Sequence, residues 1–106
     1  MRSRAARPIP RLVWIAAMLR RTLFYSGWVQ GVGFRYTARR IAASYQVAGY
    51  VRNLPDGRVE TVIEGEPDQV EKFVRAVTDD LAENIRGVES HDSAATGEFR
   101  RFEIRF

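Results

Sequence analysis

The 106-residue sequence predicts an α+β domain in which an antiparallel sheet carries two helices on one face. Three observations predict it. Apolar residues recur at helical spacing in two stretches, residues 34–45 and 70–81. Runs of strand formers flank both stretches, and between them a Pro-Asp-Gly turn separates two further runs of strand character. A chain of this length is expected to form one domain around one modest core.

The first strand is read from "TLFYSG", residues 22–27, which is rich in strand formers and stops at Gly27. A glycine-rich loop follows. Phe34, Ala38, Ile41, Ala42 and Tyr45 then mark one face of a helix, leaving Arg39 and Arg40 outside. "VAGYVRN" and "VETVIEG" make a hairpin around "LPDGR", where Pro55 presets the first central turn position and Gly57 closes the turn. Along the second of these strands Val59, Thr61 and Ile63 face one side and Glu60, Val62 and Glu64 the other. Pro67 suits the first turn of the second helix, whose apolar face is Val70, Phe73, Val74, Val77 and Leu81. Asp68 with Lys72 and Glu71 with Arg75 are spaced to pair along it. "VESHDSA" and "FRRFEIR" supply the last strand and a possible short extra C-terminal strand. The order βαββαβ is the ferredoxin-like split β-α-β arrangement. Many functions share it, so the site has to decide.

The net charge of +4 invites a nucleic-acid reading, but its location argues against one. Arg2, Arg4, Arg7 and Arg11 lie in the first seventeen residues, which hold no acid; residues 18–106 balance thirteen basic against thirteen acidic side chains. The body of the protein is neutral. Tyr25, Tyr50 and Phe102 could serve an RNA-binding sheet, but little else supports that use, and no nucleic-acid partner is expected. Residues 1–19 read as a basic N-terminal extension and 20–106 as the domain. The apolar run at residues 12–19 is far short of a membrane span and lacks a clear cleavage pattern, so a loose tail, or an upstream start assigned in place of Met18, fits better than a signal. With no cysteine there is no disulfide framework, thiolate nucleophile or zinc-finger ligand set. His91 is the single histidine and has no ligand constellation around it, so no metal and no cofactor are expected.

The segment "GWVQGVGFR", residues 27–35, is the feature that carries chemistry. It fails the dinucleotide fingerprint, since Tyr36 stands where the third glycine belongs, and it fails the P-loop pattern for want of a lysine. Two readings stay open on the residues alone. Glycines leading from a strand into a helix can turn backbone N–H groups toward a small anion, with Arg35 in the first helical turn gripping it from a second side. Equally, the glycines could make only a tight turn, with Arg35 in a surface salt bridge.

"GWVQGVGFR", followed in order by "GYVRNLPDGRVE", "EGEPDQVEKF" and "TGEFRRFEIR", resembles the acylphosphatase family over roughly four-fifths of the chain. The resemblance implies a small, metal-free cytoplasmic hydrolase that splits the carboxyl-phosphate bond of acyl phosphates and is inhibited by its product, inorganic phosphate. It also implies a monomer without a membrane partner. In that family the arginine of the first motif binds phosphate, which falls on Arg35, and the asparagine of the second positions the attacking water, which falls on Asn53. The cradle of amides would run through Gln30, Gly31, Val32, Gly33 and Phe34, with Gln30 pinning the loop. Trp28 and Arg101 depart from residues frequent at their positions. The runner-up is a weakly active or non-catalytic accessory module of the same fold.

Overall fold

The computed structural model describes residues 17–106, so the extension expected over residues 1–19 lies almost wholly outside them. Five strands and two helices follow in order: β1 (Leu19–Gly27), α1 (Phe34–Ala42), β2 (Val47–Asn53), β3 (Val59–Gly65), α2 (Pro67–Asp80), β4 (Ile85–Ala94) and β5 (Phe102–Arg105). The sheet order is β4-β1-β3-β2-β5. Four strands run antiparallel to their neighbours as predicted, but β5 adds to β2 in parallel and makes the sheet mixed.

β3 lies between β1 and β2 and pairs antiparallel with both, so β1 and β2 point the same way. Register places Tyr25, Val59 and Asn53 side by side at the end where both strands finish. The core fills the space between this face and the helices. Leu23, Tyr25, Val51, Val59 and Ile63 meet Phe34, Ala38 and Ala42 of α1 and Val70, Phe73 and Val77 of α2. Both predicted helical faces are the buried ones. Tyr25 stacks on Phe34 and Phe102 on Phe73, at 4.9 and 5.4 Å between centroids, so neither ring is displayed for a base.

Two local expectations are corrected, and a third feature was not read from the sequence. β1 begins at Leu19, because Arg20 and Arg21 are strand residues with partners on opposite faces: Arg20 donates to Glu64, and Arg21 to Asp92 and Glu71. Glu71 is therefore engaged across elements and not by Arg75. Finally, Glu60 and Glu64 are buried although they occupy the face away from the helices. Arg52 and Tyr50 donate to Glu60, while Arg20 and the backbone N–H groups of Thr96 and Gly97 donate to Glu64. Burial pushes the Glu64 carboxyl up, but these donors together outweigh it and hold the group below its ordinary value.

Candidate active site

β1 ends where its backbone passes close to the turn before β4. A Cβ on Gly27 would stand 2.6 Å from the Asn84 carbonyl oxygen, and the next residue, Trp28, donates its N–H to that same oxygen at 3.0 Å. Trp28 itself is exposed, whereas Val29 is fully buried and roots the loop in the core. Gly31 and Gly33 take φ of +78° and +82°, a region that disfavours any side chain, yet nothing lies within 4 Å of either Cβ position. Handedness, not crowding, requires glycine there, and the space above the loop stays open.

Gly33 is the residue before α1, and no side chain caps the helix or places an acid in its first turn. The first amides of α1 therefore lack a side-chain acceptor, which makes them available to an anion. Phe34 is buried against Tyr25, fixing where the helix starts, and Arg35 stands next to it on the exposed side. No carboxylate pairs with Arg35 among the described residues, so the surface salt bridge that offered the plainer reading is not there. Its guanidinium lies 4.7 Å from the centre of the Phe106 ring and Nη1 reaches the Arg105 carbonyl at 3.5 Å.

Gln30 ties the loop to the β2–β3 hairpin. Its Nε2 donates to the carbonyls of Leu54 and Arg58 at 2.8 and 2.9 Å, on either side of the turn that Asn53 precedes. The pinning role read from sequence is thus seen directly. Asn53 ends β2 on the helix-facing side, two residues from buried Val51, while Arg52 points to the other face and engages Glu60. The Asn53 amide has no hydrogen-bond partner among the described residues.

Gly31, Gly33, Phe34, Arg35 and Asn53 line one hollow of about 220 Å³, together with Val29 and Tyr36. The last two were not singled out in the sequence; adjacency to Arg35 was the signal available for Tyr36. Gln30 and Val32 do not line the hollow: Gln30 is committed to the hairpin, and Val32 packs against the core. No carboxylate, imidazole or thiol lines it either. The nearby Tyr25 hydroxyl cannot act as a base, because burial pushes it far above its ordinary value despite the opposing pull of Arg21. His91 sits opposite Thr22 on the far face of the sheet, exposed and bonded to Glu89. Among the described residues no three His, Asp or Glu side chains gather as metal ligands would. The hollow offers amides, one guanidinium, one carboxamide and the Tyr36 phenol. Such a set can hold an anion and orient a neutral molecule, but it supplies no strong base or acid.

A family model for Acylphosphatase matches residues 21–104. The acylphosphatase of Acaryochloris marina is 42% identical over 97 residues, covering 91% of this chain and 97% of that protein. That of Archaeoglobus fulgidus is 43% identical over 91 residues, covering 84% and 100%. Among solved structures, acylphosphatase from Bacillus subtilis superposes with a TM-score of 0.74 at 32% identity, over 83% of this chain and 99% of that one. Full-length HypF, solved with phosphate and nucleotide, matches with a TM-score of 0.69 at 27% identity, over 84% of this chain but only 12% of its own length. Matched along most of its length by the family model and by relatives of its own size, the chain belongs to the acylphosphatase family.

Proposed function

We infer that this protein hydrolyses acyl phosphates to a carboxylate and inorganic phosphate. Arg35 and the loop amides bind the phosphoryl group, and Asn53 orients the attacking water. One observation supports the assignment of roles: a guanidinium with no carboxylate partner, a helix start with no side-chain cap and an amide side chain with no hydrogen-bond partner among the described residues meet in one hollow. The chemistry asks for little else. The leaving group is a carboxylate, which needs no proton to depart, so the absence of an acid from the lining is no handicap. Water attacks phosphorus as the bond to the acyl oxygen breaks. Its proton passes to a phosphoryl oxygen of the substrate, since Asn53 cannot accept it. Positioning and matching of charge on the phosphoryl oxygens supply the rate.

The proposal extends to a metal-free monomer acting in the cytoplasm on a diffusing small molecule, with residues 1–17 outside the catalytic domain. Phosphate release from acetyl phosphate and benzoyl phosphate, measured with a chelator present, tests the reading. Turnover that saturates with substrate and is inhibited by inorganic phosphate is expected. Release no faster than the spontaneous reaction would refute hydrolysis, and loss of turnover on chelation, restored by a divalent ion, would refute the metal-free mechanism.

A further inference from the structure

A second hollow, of about 370 Å³, opens between the end of α1 and the segment entering β5. Three arginines, Arg39, Arg100 and Arg101, provide its charge, and Ala42, Val47 and Phe102 its apolar floor. No carboxylate lines it, and none of the three guanidiniums has an ion-pair partner among the described residues. Residues 1–16 contain no Asp or Glu that could supply one. Elsewhere Arg20, Arg21, Arg40, Arg52, Arg58 and Arg105 each hold a carboxylate, whereas Arg35, Arg75 and Arg86 stand singly without one among the described residues, so what marks this hollow is three such arginines together. Arg100 and Arg101 also border a hollow containing Glu98 and Glu103, but those two carboxylates are engaged by Arg20 and Arg105.

The dipole at the end of α1 accounts for a cation in its last turn, and Arg40, bonded to Asp80, already fills that part beside Arg39. It does not account for two more arriving from a separate segment. Arg39 and Arg101 stand on held backbone. Arg39 lies between buried Ala38 and Ala42, the Arg101 carbonyl accepts the Gly49 N–H at 3.0 Å, and Phe102 is packed on Phe73. Like charges gathered on a neutral body repel one another unless an anion sits among them.

We propose that this hollow is a second anion site, separate from the one at Arg35, that takes a small molecule bearing two or more phosphate groups. Each guanidinium presents a planar fork matched to two phosphate oxygens, and three of them carry more positive charge than the roughly −2 of a single phosphate group balances. The volume falls at the small end of small-molecule pockets. The two hollows share no lining residue, but Arg39 stands only one turn, about 6 Å, beyond Arg35 on α1 and its guanidinium lies 5.4 Å from the centre of the Tyr36 ring, so the sites adjoin and the test has to remove Arg35 to tell them apart.

Tripolyphosphate is the probe, titrated calorimetrically into the full chain carrying Arg35→Ala so that the first site is removed. One saturable event of one ligand per chain is expected, weakened about tenfold or more by Arg39→Ala with Arg101→Ala in the same background. Arg75→Ala with Arg86→Ala, which remove two exposed arginines away from the hollow, should leave the affinity unchanged. Shifts of the backbone amide resonances of Arg39, Arg100 and Arg101 in the unmutated chain provide a reading independent of substitution. No saturable binding, an equal loss in the control pair, or shifts confined to residues 27–35 would each overturn the second site. Because binding and not turnover is measured, the outcome is independent of whether acyl phosphates are hydrolysed.

Discussion

Removing the side-chain amide of Gln30 should loosen the site without touching any group proposed to contact substrate. In Gln30→Ala two hydrogen bonds vanish, those to the Leu54 and Arg58 carbonyls. Neither carbonyl is orphaned, since Gly57 N–H still donates to Leu54 and Leu54 N–H to Arg58. The cost is therefore the net worth of two ordinary bonds, about 1–2 kcal/mol, and not the larger penalty of leaving a buried acceptor empty. For a domain of this size that corresponds to a fall in Tm of roughly 5–15 °C. Gln30→Glu should be worse than alanine, because an ionised carboxylate would face two carbonyl oxygens with nothing to donate. Thermal unfolding by circular dichroism gives the stability, and acetyl phosphate hydrolysis gives kcat and KM. Activity should fall in both variants at temperatures where they remain folded, as the loop and the Asn53 strand lose their tie. A Gln30→Glu protein as stable as the parent would show that the amide orientation, and the tie inferred from it, is wrong.

Four further outcomes are expected. Arg35→Ala should lose turnover and phosphate inhibition together, with inhibition weakened by about 1.5–3 kcal/mol of lost charge-assisted contact; unchanged inhibition would move the anion elsewhere. Asn53→Ala should lower kcat by roughly 10² while KM stays within a few-fold, and a large rise in KM with kcat intact would make Asn53 a binding group instead. Gly49→Ala would place its Cβ 1.8 Å from the Val62 carbonyl oxygen at a φ of +150°, so the β2–β3 spacing must yield at a cost of about 3 kcal/mol or more in chemical denaturation. A near-neutral result there would mean that the two strands sit farther apart than described. A chain beginning at Met18 should keep the melting temperature and turnover of the full chain, and a large loss of either would assign residues 1–17 a place in the domain.

The element order and both helical faces were legible because period-3.6 and period-2 patterns are local properties, as with Phe34, Ala38 and Ala42 or Val59, Thr61 and Ile63. The meeting of the glycine loop with Asn53 was legible too, since antiparallel pairing of β3 with both neighbours brings the ends of β1 and β2 to one side of the sheet. What depends on partners distant in sequence was not. The alternation along β3 puts Glu60 and Glu64 on one face but does not show their burial, which depends on Arg20, Arg52 and the loop at Thr96 reaching them. Glu71 read as a partner of Arg75 because helical spacing is visible in sequence and a strand passing alongside is not. The start of β1 was missed because Leu19, Arg20 and Arg21 carry no strand pattern of their own, and the partners that pair with them, in β3 and β4, are distant in sequence.

The interior place of β1, between β4 and β3, shapes how the protein is made. Leu19 pairs with Gly65 on one side and Ala94 on the other, so the first of the described strands to be synthesised waits for its second neighbour until residue 94 has emerged. At roughly 5–20 residues per second on the ribosome, both edges of "TLFYSG" stay open for several seconds. An apolar strand in that state is a template for pairing with another chain. Arg20 and Arg21, which end as bonded members of the sheet, stand at its head throughout that interval, two positive charges that repel a second copy until the acids of β3, α2 and β4 emerge to neutralise them.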